Sequence, residues 1–417
     1  MSLPVPRHPK AAVAALASAA AAFAVLAGAP ASAAPAWVGS WASAQMVSAA
    51  DPALSATGAQ GVTLRQILRL SLGGATLRIR VSNAFGDKPL EVRSLRVAPA
   101  LNPASPKIDP SADKAVTFGG HAAVIVPPGA EYWSDPVALP TRDGAELAVS
   151  LWVSAPPPVL TGHPGSRATS YIRAGDQTAA ADMPGAEGVE HWFLLSGVDV
   201  DRPQASALVA LGDSITDGHA ATTNGDDRWP DVLAQRLRAA GAPVGVLNAG
   251  IGGNHILTDG LGPNAMARFD RDVLSQSRVS AVLVLEGVND LGGLTRTAPV
   301  DAKGHQAMVA ALIGGYRQMI DQTHAHGMRI VGATVTPYTG SDYYHPDAAN
   351  EADRQALNAW IRQPGHFDAV VDFDAAVRDP ARPDHLAAAF DSGDHLHPSP
   401  AGYRAMGQAI DLTLLRP

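Results

Sequence analysis

The texture of the chain changes at Asp201-Arg202-Pro203, and that break constrains the fold more than any other feature of its 417 residues. Before it, apolar residues recur at every second position, most clearly at Leu77, Ile79 and Val81 with Arg78, Arg80 and Ser82 between them. A period of two is the pattern of a strand with one dry and one wet face. Thr63 to Ser71, Leu90 to Val97, His121 to Val126, Leu147 to Val153 and His191 to Leu195 read the same way, separated by turn signals such as Phe85-Gly86-Asp87 and Pro127-Pro128-Gly129. Between Val92 and Leu95 the apolar parity slips, which predicts a bulge. Many short strands without long helical patterns predict an antiparallel β-sandwich, jelly-roll-like, over residues 34–203.

After the break, short apolar runs alternate with helical patterns, the signature of βα units on a parallel sheet over residues 204–417. The expected strands are Ala207 to Leu211, Val244 to Leu247, Ala281 to Leu285, Arg329 to Val335 and Val370 to Phe373. Trp229, Val232, Leu233 and Leu237 share one face of an expected helix that has Pro230 in its first turn and Gly241 past its end. A last helix should start at Ser399-Pro400, an N-cap followed by Pro.

At the other end of the chain, Arg7, His8 and Lys10 precede an uncharged Ala-rich run from Ala11 to Gly28 and then Ala31-Ser32-Ala33. That is the layout of a signal peptide over residues 1–33, which predicts a secreted or periplasmic protein without stable membrane insertion once the leader is removed. An uncleaved anchor is the alternative, disfavoured by the small-residue site and by Pro30 and Pro35. The chain has 31 Lys+Arg against 39 Asp+Glu, a net charge of −8, and no basic stripe, which argues against a nucleic-acid partner. With no Cys, disulfides contribute nothing to its stability.

In an open parallel sheet, ligands bind beyond the carboxyl ends of the strands, so the residues just after each strand carry the chemistry. The first strand is followed by Gly212-Asp213-Ser214-Ile215-Thr216-Asp217-Gly218, where Ser214 would present its hydroxyl and a free N–H. The second is followed by Asn248-Ala249-Gly250-Ile251-Gly252-Gly253-Asn254, whose glycines let the backbone approach a ligand but whose spacing is not that of a dinucleotide site. The third is followed by Glu286-Gly287-Val288-Asn289-Asp290, with a side-chain amide in Asn289. Near the C-terminus, Asp394-His395-Leu396-His397-Pro398 places a carboxylate three residues before an imidazole. If the loop curls, Asp394 can accept from Nδ1 of His397 and leave the other nitrogen to take a proton from Ser214. Each segment alone is equally compatible with a capping or turn role.

Taken in this order, the four segments resemble the block pattern of the GDSL or SGNH hydrolases, from about Ala207 to Tyr403. The resemblance implies a flavodoxin-like domain with Ser214 as nucleophile, His397 as base and Asp394 as its orienter. It implies an oxyanion hole made by the Ser214 N–H, the Gly253 N–H and the Asn289 side chain, with no cofactor. Gly253 is preferred to its neighbour Gly252 because the family's oxyanion Gly usually precedes Asp or Asn, here Asn254. Ile215 stands where the family name has Leu. The layout of a β-rich part before the hydrolase part also resembles some exported bacterial carbohydrate esterases. The expected activity is hydrolysis of carboxylic esters, short-chain acyl or acetyl, on a small-molecule or polysaccharide substrate. A lipase or phospholipase activity and a non-catalytic carbohydrate-binding protein are the alternatives.

Several residues compete for these roles. Asp342-Tyr343-Tyr344-His345-Pro346 repeats the Asp-x-x-His-Pro spacing, and His345 is expected to line the cleft rather than act as base. Asp321 and His324 repeat the Asp-x-x-His spacing on an expected solvent-facing helix. Asp217 and Arg228 read as turn and surface residues, Asp213 as a brace for the Ser214 turn, and Trp41 and Trp229 as packing residues. A metal-dependent hydrolase built on Asp391, Asp394, His395 and His397 would leave the Ser, Gly and Asn segments unexplained.

Overall fold

The computed structural model describes residues 1–2, 35–49, 54 and 60–415; the expected leader falls almost wholly outside them. Pro35–Pro417 is one compact unit. Its larger antiparallel sheets precede Arg202, and one two-stranded antiparallel pair, Arg378–Asp379 with Arg382–Leu386, follows it. Of the larger sheets, one runs in the order Trp37–Ala42, Leu195–Asp201, Thr76–Ser82, Glu131–Trp133, and a second in the order Glu187–Val189, Ser170–Ala174, Val62–Arg69, Glu146–Val153, Leu90–Pro99, Lys114–Val116. A third joins His191–Phe193, Val159–Pro164 and Met46–Ala49. Ile79 and Val81 of the first sheet and Leu64, Leu68 and Leu151 of the second are fully or almost fully buried in one cluster.

The slipped parity is a bulge: Trp152 faces Ser94 and Val153 faces Val92, so Arg93 is the extra residue. Expected as one strand, His191 to Leu195 is two, because Leu194 takes a left-handed conformation with φ 60° and turns the chain between them. The strand expected from His121 shortens to Val124–Val126.

The second half forms a five-stranded parallel sheet: β1 (Ser206–Gly212), β2 (Val244–Gly250), β3 (Val279–Leu285), β4 (Arg329–Ala333) and β5 (Ala369–Val371). The order β2-β1-β3-β4-β5 is that of a flavodoxin-like sheet, with the switch point between β1 and β3. Around the sheet lie α1 (Ser214–Asp217), α2 (Trp229–Ala239), α3 (Ala265–Phe269), α4 (Val288–Thr295), α5 (Ala302–Ala325), α6 (Ala348–Arg362) and α7 (Pro400–Ala409). β1 reads Ala-Leu-Val-Ala-Leu without alternation because both faces are covered, and all five residues are fully buried. The punctuation of the helices is as the residues dictate: Pro230 lies in the first turn of α2, Gly241 follows its end with φ 65°, and Ser399 caps α7.

As an outer strand, β2 would leave a row of amides unpaired. The β-rich half covers them: Val246 N–H donates to Ser71 Oγ at 3.0 Å, and Gly39 packs so closely that a Cβ on Gly245 would fall 2.2 Å from its carbonyl oxygen.

Candidate active site

Beyond the carboxyl ends of β1, β2 and β3 opens a cleft of about 970 Å³, bordered by Ser214, Gly252, Gly253, Asn289, Asp394 and His397. The four segments singled out in the sequence therefore meet in one place. Ser214 is the first residue of α1, whose short length follows from its caps. Asp213 accepts from Ile215 N–H with Oδ1 at 2.8 Å, its carbonyl takes the Thr216 and Asp217 amides, and Gly218 ends the turn at φ 100°. Among the described residues no protein acceptor takes the Ser214 N–H, as expected of the first amide of a helix.

Ser214 Oγ lies 2.8 Å from His397 Nε2, and His397 Nδ1 lies 2.6 Å from Asp394 Oδ2. The loop curls because Asp394 Oδ1 accepts from the Leu396 and His397 amides at 3.0 and 2.8 Å. A carboxylate can only accept, so Nδ1 carries the ring proton and Nε2 offers its lone pair to the Ser214 hydroxyl. Burial pulls the Asp394 carboxyl upward, but the His397 ring and these amides outweigh it and hold it well below the usual carboxylate range. Asp394 is thus held ionised beside the His397 ring.

The loop after β2 supplies amides. Ile251 to Asn254 form a tight turn, closed by Asn254 N–H to Ile251 O at 3.1 Å, in which Gly253 sits at φ 66°. That conformation favours glycine at 253, and no such demand is made at 252. Asn289, in the first turn of α4, donates from Nδ2 to Asn254 O at 2.7 Å and accepts at Oδ1 from the Tyr344 hydroxyl at 2.6 Å.

Three features of the site had no signal in the sequence pattern. Arg268 on α3 is fully buried and donates to Gly212 O, Ala249 O and Asn254 Oδ1, joining the ends of β1 and β2 to the glycine loop. The His219 ring lies against that of His397, with centroids 4.0 Å apart and planes tilted by 39°. Burial first, then His397 and Arg167, lower the His219 pKa, so the ring is neutral at neutral pH. Finally, Asp217 and Arg228, expected at the surface, are buried. Asp217 Oδ1 meets Nε2 of His163 at 2.8 Å, and Arg228 is paired with Asp231 at 2.6 Å. The reason is the β-rich half: His163, on the strand Val159–Pro164, reaches the base of α1 and puts Asp217 out of the solvent.

The competing motifs fall elsewhere. His345 is exposed at φ 49° and does not border the cleft; Ser341, Asp342, Tyr343 and Tyr344 do. His324 is exposed and pairs with Asp368 at 3.0 Å. His395 turns to Asp391 at 2.5 Å on the surface. His219, Asp394 and His397 bring ligand-type atoms within 4.8 Å of one another, and two of these residues are joined by the Asp394–His397 hydrogen bond. Asp213 is the expected brace, and its burial, with Asp290 nearby, pushes its carboxyl up to about 7 against the pull of the Ile215 amide and Arg268. Trp41 and Trp229 are buried.

A serine, an imidazole and a carboxylate in hydrogen-bonded sequence, at the carboxyl end of a flavodoxin-like sheet, define a hydrolase-type site. Residues 210–405 match the model of the GDSL-like Lipase/Acylhydrolase family. Over these residues the second half of the chain is similar to that family of lipases and acylhydrolases. Among solved structures, the chain is similar to a GDSL-like lipase from Bacteroides thetaiotaomicron at 19% identity and TM-score 0.37, covering 50% of this chain and 87% of that one. A lipase/acylhydrolase from Enterococcus faecalis is similar at 22% identity and TM-score 0.34, covering 49% and 92%. A catalytic mutant of an acetylxylan esterase from Geobacillus stearothermophilus is similar at 20% identity and TM-score 0.37, covering 51% and 95%. No curated protein matches the chain. No helix among the described residues is long and apolar enough to cross a membrane.

Proposed function

We propose that the protein is an exported serine esterase acting on short-chain acyl or acetyl esters. Ser214 attacks the ester carbonyl while His397 Nε2 takes its proton, and Asp394 holds the resulting imidazolium. The tetrahedral oxyanion is received by the Ser214 and Gly253 amides and by Asn289 Nδ2. His397 then gives its proton to the leaving alkoxide, which leaves an acyl-Ser214 ester. Water, deprotonated by His397 in turn, releases the acid and restores Ser214.

The observation that carries this reading is the pair of hydrogen bonds from Ser214 to His397 and from His397 to Asp394, open to a cleft that Gly253 and Asn289 also border. Export rests on the leader-like composition of residues 1–33. The preference for short acyl groups rests on the sequence, which has no long apolar surface helix that reads as a lid. Hydrolysis of p-nitrophenyl acetate, measured with and without a serine-directed phosphonate and with and without a chelator, tests the mechanism. Turnover abolished by the phosphonate and untouched by the chelator is expected; turnover that resists the phosphonate, or Ser214→Ala with full activity, refutes it.

A further inference from the structure

The Tyr344 hydroxyl and Asn289 Oδ1 are 2.6 Å apart, and both residues are buried, at 4% and 2% exposure. At the other end of the same amide, Nδ2 donates to the Asn254 carbonyl at 2.7 Å. That carbonyl can only accept, so a flipped amide would set acceptor against acceptor, and Oδ1 is the end that meets the hydroxyl. One Nδ2 hydrogen is thereby committed, leaving the second as the donor available to the cleft. The phenol ring is itself fixed by close packing. A Cβ on Gly292, one turn along α4, would fall 2.4 to 2.7 Å from its ring atoms, and Tyr343 meets its edge at a centroid distance of 4.7 Å.

We infer that Tyr344 is a positioning residue for the oxyanion donor: by donating to Oδ1 it fixes the plane of the Asn289 amide and polarises the remaining Nδ2–H toward the reacting carbonyl oxygen. This rests on the role given to Asn289 above. Drawing electron density to Oδ1 makes the amide hydrogens more positive, and bonds in such a chain strengthen one another by roughly 10–30%. The oxyanion has its full charge only in the transition state, so the benefit belongs to kcat rather than KM.

Tyr344→Phe keeps the ring and its packing and removes the hydroxyl. With p-nitrophenyl acetate, and with activity normalised to folded protein by circular dichroism, kcat should fall by about 5- to 30-fold, a fraction of the loss of a whole donor. KM should stay within about two-fold. In an Asn289→Ala background the same change should alter kcat by less than about two-fold, because the group it acts through is gone. A Tyr344→Phe enzyme with undiminished kcat, or one whose loss is equally large in both backgrounds, overturns the positioning role while leaving the Asn289 donor in place. Full kcat in Asn289→Ala alone overturns the donor itself, and the positioning role with it.

Discussion

His163 is buried outside the cleft and bridges the β-rich half to Asp217. Its Nδ1 lies 2.8 Å from Ala44 O and its Nε2 2.8 Å from Asp217 Oδ1, and the side chain is 3% exposed. Since both partners are acceptors, the ring must carry a proton on each nitrogen and is an imidazolium. Burial by itself lowers its pKa, as does Arg228, but the Asp217 carboxylate and the Ala44 carbonyl win and the pKa is raised. Replacing His163 with Ala leaves the buried Asp217 carboxylate, 8% exposed, without its partner. Removing one member of a buried pair costs about 3–5 kcal/mol, and the space left by the ring adds to it. The double variant His163→Ala/Asp217→Asn removes the orphaned charge and should recover about half of the loss or more. Urea unfolding followed by Trp fluorescence measures both. The effect should also depend on pH. A raised folded-state pKa means that the stabilisation is complete below the unfolded value of about 6.5 and is lost as pH rises through the folded value. The gap between wild type and His163→Ala should therefore be widest near pH 6 and narrow on the alkaline side. A cost below about 1 kcal/mol, or a gap that widens with pH, would refute the imidazolium.

The remaining predictions concern the cleft. Ser214→Ala and His397→Ala should each lower turnover by about three to six orders of magnitude, and the double variant should be little worse than either; multiplicative losses in steady-state assays would mean that the two do not act together. Asn289→Asp, which places an acceptor and a like charge before the oxyanion, should lower kcat at least as far as the roughly 10²- to 10³-fold expected of Asn289→Ala, with KM nearly constant; wild-type kcat in either folded variant would deny the donor role. Asp213, with a folded pKa near 7 above an unfolded value of about 3.9, binds its proton more tightly when folded, so the stability it contributes falls as pH rises through 7. Asp213→Asn keeps an acceptor for Ile215 and should lose less stability than wild type between pH 5 and pH 8; identical urea midpoint shifts would contradict this.

What was legible in the sequence was whatever repeats locally. Alternation at Leu77, Ile79 and Val81 reported a strand with two unlike faces, and the slip after Val92 reported the Arg93 bulge. The unbroken run of β1 reported a strand covered on both sides. The strand-end segments and the C-terminal Asp-x-x-His, read together with the family resemblance, led to the expectation that Ser214, Gly253, Asn289 and His397 share one site, and all four border the cleft. What was illegible depends on partners far apart in the chain. His163 and Asp217 are 54 residues apart, and no spacing relates them. Asp217 therefore reads as an ordinary turn acid. Arg268 occupies no motif, and its value comes from carbonyls and side chains at the ends of other strands. Leu194 breaks a strand through a backbone conformation that its residue type does not announce.

The cover over β2 has a consequence for how such a chain can be cut or recombined. A parallel sheet that ended at β2 would expose a row of amides, the template on which strands from other molecules add. Here Ser71 and Gly39 occupy that edge, and Ser277 holds Gly39 in turn through a 3.1 Å backbone bond. The hydrolase half is consequently not a portable cassette. Severed near Arg202, it would carry an adhesive border into solution, and a graft onto another scaffold would need to bring its own replacement for residues 39 and 71.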